Sequence, residues 1–145
     1  MDTTGPYDGA KVALFLGDQL ISILRDDFGH IPYPNLWDLP GGARDPEEAP
    51  FETVARETHE ELGLVLPRTA VLWESAFRAN DNPGKWIAFF VAQLPASAVD
   101  DVVFGDEGQR WALFGMGAYI ALPDRVPSYG ARLRRWVAET GGLAS

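Results

Sequence analysis

The sequence predicts a mixed α/β (α+β) fold, on three observations. Two β-prone runs near the start are separated by a turn pair, two later segments carry the 3.6-residue spacing of helices lying on a sheet, and further β-prone runs fall between and after them. The 145 residues are 46% hydrophobic and 23% charged, with no Cys, which is enough chain to bury a core without disulfides or a structural zinc site. Residues 1–9 are polar and Gly/Pro-containing and read as a flexible lead-in to a single domain over residues 10–145.

Residues 11–16 and 20–25 form the expected hairpin around Gly17-Asp18. Residues 26–35 contain Gly29, Pro32 and Pro34, a loop long enough to touch a ligand. A short strand over 36–39 is stopped by Pro40-Gly41-Gly42. The pattern then turns helical over 50–62, with Pro50 suited to the first helical position, Gly63 to the stop, and Ala49 a poor cap. Residues 71–77 and 85–93 read as two strands joined by the turn Asn80-Asp81-Asn82-Pro83-Gly84. An acidic loop over 100–110 leads to a short strand over 111–114. The last helix, 127–139, places Tyr129, Leu133, Trp136 and Val137 inward and Arg132, Arg134 and Arg135 on its wet side.

Lys plus Arg is 12 and Asp plus Glu is 21, a net charge of −9 that opposes the phosphate attraction on which polynucleotide binders rely. Nothing approaches the roughly 20 apolar residues of a membrane helix. The start lacks the basic, then apolar, pattern of a secretory signal, so the expected location is the cytoplasm. The sequence leaves a homodimer open. Residues 44–61 hold seven carboxylates against Arg44 and Arg56, or −5 of the −9.

On the first helix Phe51, Val54, Ala55, Thr58 and Leu62 share one stripe, which packs on the core. Glu57, Glu60 and Glu61 occupy the neighbouring arc, at the spacing where side chains become surface neighbours. Folding asks for no such cluster. A solvated charged face is one explanation; a hard divalent ion is the other. Oxygen-only donors suit Mg2+ or Mn2+, whereas zinc would recruit His or Cys and the chain offers only His30 and His59. Mg2+ usually bridges to substrate phosphates, which makes a phosphorylated substrate, foremost a diphosphate-containing one, the natural partner.

Gly42, five residues, Glu48, seven residues, then Arg56-Glu57-Thr58-His59-Glu60-Glu61-Leu62-Gly63-Leu64 resembles the Nudix box, G-x5-E-x7-R-E-U-x-E-E-x-G-U, in every fixed letter. The departure is Thr58 at an aliphatic position, for which a small packing loss is expected. Trp37-Asp38-Leu39-Pro40-Gly41-Gly42 also resembles the family's approach to the box. The resemblance implies a Nudix-type α/β/α sandwich with a mixed sheet. It implies hydrolysis of a nucleotide-type diphosphate with Mg2+ or Mn2+, foremost a nucleoside triphosphate to monophosphate plus pyrophosphate. Nucleotide sugars, ADP-ribose and dinucleoside polyphosphates are the alternative substrates, and a non-catalytic nucleotide or protein sensor is the alternative role.

By the same resemblance Glu57, Glu60 and Glu61 are the metal ligands and catalytic carboxylates. Glu48 and Arg56 brace loop against helix, Gly42 allows a close backbone approach, and Gly63 ends the helix. Glu107 occupies the place of a further catalytic carboxylate in several members, ahead of Asp106. Arg25 is a candidate for phosphate, Asp38 or Asn35 for a base edge, and Trp37, Tyr33, Trp86 and Phe90 for stacking, each against an ordinary core or surface role. His59 reads as surface. No P-loop, nucleophile elbow or zinc-protease motif competes.

Overall fold

The structure, a computed structural model, describes residues 7–79, 82 and 84–144. Its centre is the strand β1 (Gly9–Leu16), which turns at Gly17 into β2 (Gln19–Leu24) as the expected antiparallel hairpin. The edge of β1 is shared: Phe15 and Leu16 pair with β2, while Gly9 to Lys11 pair antiparallel with β4 (Gly41–Ala43). On its other side β1 runs parallel to β6 (Trp86–Leu94), which pairs antiparallel with β5 (Val71–Arg78). β2 continues outward to the two-residue β3 (Trp37–Asp38) and to β7 (Arg110–Gly115), so the seven-stranded sheet is mixed.

Alternate residues of the central strands face opposite layers, as a strand's period of two requires. Val12, Leu14, Ile21, Ala88 and Phe90 pack beneath α1 (Pro50–Leu62) through Val54 and Leu62. Ala13, Phe15, Leu20, Phe89 and Val91 pack on α3 (Tyr129–Thr140) through Leu133 and Trp136. The result is the α/β/α sandwich. A short α2 (Met116–Ala121) buries Tyr119 on the α3 side.

Four local expectations need correction. Residues 7–9 belong to the fold: Tyr7 is buried, its hydroxyl donates to the Glu48 carbonyl at 2.6 Å, and Gly9 opens β1. Residues 1–6 lie outside the described residues, as do Asn80, Asp81 and Pro83 of the turn before β6. Pro40-Gly41-Gly42 does follow the end of the 36–39 strand, but Gly41–Ala43 then form a further strand, β4, that the sequence reading lacks, with Gly41 at φ 139°, a conformation open to glycine. The 100–110 segment opens inside a 3-10 turn (Ala96–Asp101), and Arg68–Ala70 makes another before β5. Arg132 is not on the wet side of α3; it is 5% exposed, three residues from Tyr129 and four from Trp136, and so shares their face. Arg134 and Arg135 are exposed.

Candidate functional site

The acidic helix is held by its ends. Pro50 opens α1, and the Ala49 N–H that a side-chain cap would leave unserved donates to Glu52 at 2.8 Å. Gly63 stops it at φ 69°, the left-handed conformation that glycine adopts without strain, and its N–H returns to the His59 carbonyl. The last two carbonyls of the helix are taken by a loop distant in sequence: Val103 N–H donates to Leu62 and Gly105 N–H to Glu61. That contact docks residues 102–109 at the C-terminal turn of α1, which brings Glu107 and Asp106 to the acidic arc.

Glu57, Glu60, Glu61, Asp106 and Glu107 line one cleft of about 250 Å³. Two polypeptide segments more than forty residues apart thus deliver five carboxylates to one space, with no His or Cys among them. The donor chemistry suits a hard cation. Among the described residues no three carboxylates already surround a common point, and the reason is visible. Arg56 Nη1 holds Glu57 at 3.0 Å and Glu60 at 3.2 Å, while Glu61 Oε1 accepts the Gly41 N–H at 2.9 Å. The carboxylates face the cleft with their charge parked on Arg56 and on the backbone.

Burial raises the Glu57 carboxyl above its ordinary range against the pull of Arg56. It pushes Glu61 up to about 8, against the pull of Lys11 and the Gly41 N–H and helped by the negative charge of Glu57 and Asp38. Glu48 goes the other way. Bonds from Arg56 at 2.8 and 3.1 Å, the Asp45 N–H and the Thr53 hydroxyl hold it at about 2, and the same bonds raise Arg56. Glu48 and Arg56 therefore brace the loop against α1, and Arg56 also reaches the Ala43 carbonyl. Gly42 sits so close that a Cβ there would lie 2.7 Å from the Glu57 carboxyl carbon. Any side chain would displace that glutamate.

Other candidates separate clearly. Asp38 is 5% exposed and saturated: Oδ2 accepts Lys11 at 3.1 Å and Arg25 at 2.8 Å, and Oδ1 accepts the Leu39 N–H and the Tyr129 hydroxyl. It has no lone pair left for a base edge, which corrects that reading. Trp37 is also corrected, being 5% exposed with its ring edge-on to Phe114 and covered by the Arg110 guanidinium. Phe90 is core, and Trp86 carries Arg78 over its ring. Asn35 accepts from Gln109 at 2.8 Å. Tyr33 and Arg25 do line open space, and His59 is exposed as expected.

Two further clefts flank the acidic one. Glu61 and Glu107 form a wall of a 310 Å³ cleft whose other walls include Arg25, Phe28 and Ile31. Arg25 and Asp38 are shared in turn with a 440 Å³ cleft that runs from Gly42 and Lys11 to Tyr129 and Arg132 on α3. Lys11, unremarked in the sequence, links the two sides through bonds to Asp38 and to the Leu39 and Gly41 carbonyls. Its signal was a lone Lys in an apolar strand.

A sequence model of the NUDIX domain matches residues 8–137. A Mycobacterium tuberculosis protein named "Putative 8-oxo-dGTP diphosphatase 3" is 33% identical over 104 residues, covering 71% of this chain and 37% of that protein. The chain thus spans little more than a third of that relative's length. The Bos taurus m7GpppN-mRNA hydrolase NUDT17 is 37% identical over 75 residues, 48% of this chain and 25% of its own. Among solved structures, a C. elegans Ap4A hydrolase superposes with TM-score 0.71 at 22% identity, covering 93% of this chain and 99% of the other, a likeness of fold. With the box glutamates on one helix face and the mixed sheet between two helical layers, the chain belongs to the NUDIX domain family.

Proposed function

We propose that the protein is a divalent-cation-dependent hydrolase of a nucleotide-type diphosphate, foremost a nucleoside triphosphate cleaved to monophosphate and pyrophosphate. The observation that carries this is the convergence of Glu57, Glu60, Glu61 and Glu107 on one cleft beside a larger cleft bearing Lys11 and Arg25. A nucleoside triphosphate is also the substrate class in the name of the M. tuberculosis relative.

Glu57, Glu60 and Glu61 would hold Mg2+ or Mn2+, with Glu107 facing them. Bound there, the cation supplies Lewis-acid polarisation of the phosphate and charge neutralisation. The chain's own residues do the rest. One carboxylate of the four accepts the proton of the attacking water as its oxygen bonds to phosphorus and the bond to the bridging oxygen breaks. Arg56 holds Glu57 and Glu60 on the cleft side of α1 until a stronger cation replaces it. Arg25, whose Nε is tied to the Pro32 carbonyl and Nη1 to Asp38, presents its remaining edge to both flanking clefts.

The test is release of phosphate or pyrophosphate from a panel of nucleoside triphosphates, nucleotide sugars, ADP-ribose and dinucleoside polyphosphates, with and without Mg2+, for wild type and Glu60→Gln. Mg2+-dependent turnover that falls by about 10²-fold or more in the variant is expected. Tight nucleotide binding with no turnover across the panel would establish a sensor instead.

A further inference from the structure

Arg132 is the buried cation that the proposed chemistry does not use. It lines the 440 Å³ cleft that also reaches Gly42, and Glu57 lies just behind Gly42. Its residue surface is 5% exposed, and its guanidinium lies over the rings of Phe77, Phe89 and Tyr129 at 5.0, 5.6 and 5.7 Å. Among the described residues it makes one hydrogen bond, a long 3.4 Å contact to the Arg78 carbonyl, and no ion pair. A guanidinium has five N–H donors in a fixed planar fork. Its other donors open on the cleft rather than being sealed in the core, and packing alone would be served by Leu or Met.

Part of the cleft's lining is apolar and suits a flat ring: Pro32, Tyr33, Ile87 and Val126. Neither of the acids lining the cleft pairs with it among the described residues. Asp38 is saturated, and Asp8 accepts the Trp86 N–H at 3.0 Å. The Arg132 end of the cleft therefore offers donors to whatever enters. Between the purine bases, the one with acceptors at adjacent positions on this edge is guanine, through O6 and N7, the pairing for which an arginine fork is the commonest partner; adenine places an amino donor there.

We propose that Arg132 is a specificity-determining residue that reads the O6/N7 edge of a guanine base seated in this cleft. The inference rests on the hydrolase reading for the role of the bound nucleotide and narrows it to guanine nucleotides. It also sets a sign for oxidised guanine. 8-Oxoguanine carries a hydrogen on N7, which would meet the Arg132 donors head-on, so the unmodified base is preferred.

The experiment is calorimetric titration of the full chain in Mg2+ buffer with GMP, 7-deaza-GMP, 8-oxo-GMP and AMP. GMP is expected to bind about 10- to 100-fold tighter than each of the others, the order of discrimination expected of one bidentate arginine–guanine pair. The 7-deaza comparison changes only the ligand, replacing N7 by C–H, so it needs no variant and no refolding control. Arg132→Lys, which keeps the charge but loses the fork, should bring GMP down to the level of 7-deaza-GMP while leaving AMP unchanged. Equal affinity for GMP and 7-deaza-GMP in the wild type, or a preference for 8-oxo-GMP, overturns the proposal and leaves hydrolysis standing. Absence of turnover on the triphosphate panel overturns the hydrolase reading, yet the monophosphate titrations still decide the role of Arg132.

Discussion

Asp38 and Glu61 are two largely buried carboxylates on either side of Lys11, and they behave in opposite ways. Burial pushes Asp38 up as well, but Lys11, the Tyr129 hydroxyl and Arg25 outweigh it and hold its carboxyl below the usual range. Glu61 has the Gly41 N–H and the distant pull of Lys11 against the negative charge of Glu57 and Asp38, and it is pushed up to about 8. Burial is common to both, so partners decide. A carboxylate with every lone pair answered is a structural rivet; one left short among other acids is a socket for positive charge.

The widest gap between the two should appear on neutralisation. Glu61→Gln is expected to lower kcat/KM by about 10²–10³-fold with Tm unchanged or raised, because the amide keeps the shape and removes a carboxyl whose ionisation the fold opposes. Asp38→Asn should do the reverse, costing about 3 kcal/mol, or roughly 10 °C in Tm, since Lys11 and Arg25 would keep their charges beside a neutral group. Paired thermal melts and kinetics on the two variants check this. A stable Asp38→Asn would remove the distinction.

Acid sharpens the same contrast. Asp38 and Glu48 both have depressed carboxyls, so each binds its proton more readily in the unfolded chain than in the native one. Their stabilisation is complete above their ordinary values of 3.8 and 4.5 and is lost as pH falls through the lowered ones, about 2 for Glu48. Tm should therefore drop between about pH 4.5 and 2. Glu48→Gln should start lower, by about 2 kcal/mol for the lost Arg56 pair, and show a shallower fall over that window. An identical slope in the variant would mean that other carboxylates govern acid unfolding.

The two acids were also unequally legible. Glu61 belongs to a local pattern: residues 42–64 place each glutamate by helix period alone, and the helix bounds, the hairpin and the core stripe follow from the same short-range rules. Asp38 depends on partners at positions 11, 25 and 129, which only the folded sheet and α3 bring together. Of its four partners only the Leu39 N–H is local, so the sequence leaves Asp38 open as a base-edge candidate. Arg132 failed for a related reason. A cation at a core-facing position is more often an error in the helical phase than a buried group, and the aromatic rings that accept it, Phe77 and Phe89, come from strands more than forty residues away. Glu107 lay between these cases. Its loop position was readable, but its delivery to α1 depends on backbone bonds from Val103 and Gly105 that no side-chain pattern records.

The smallest effect expected concerns Thr58, on the face of α1 opposite in role to the glutamates. Its side chain is fully buried, and its Oγ1 is the buried side-chain polar atom without a hydrogen-bond partner among the described residues. The departure from an aliphatic residue thus costs through an unanswered hydroxyl more than through lost volume. Thr58→Val, nearly isosteric, should raise stability by about 1 kcal/mol, or roughly 3 °C in Tm, because it removes the desolvated oxygen and leaves the packing of Val54 and Leu62 in place. Turnover should stay at the wild-type level, since the side chain points away from the acidic cleft. A fall in Tm would mean that the hydroxyl has found a partner, such as a buried water, and that this inward face of α1 is as fully satisfied as Asp38.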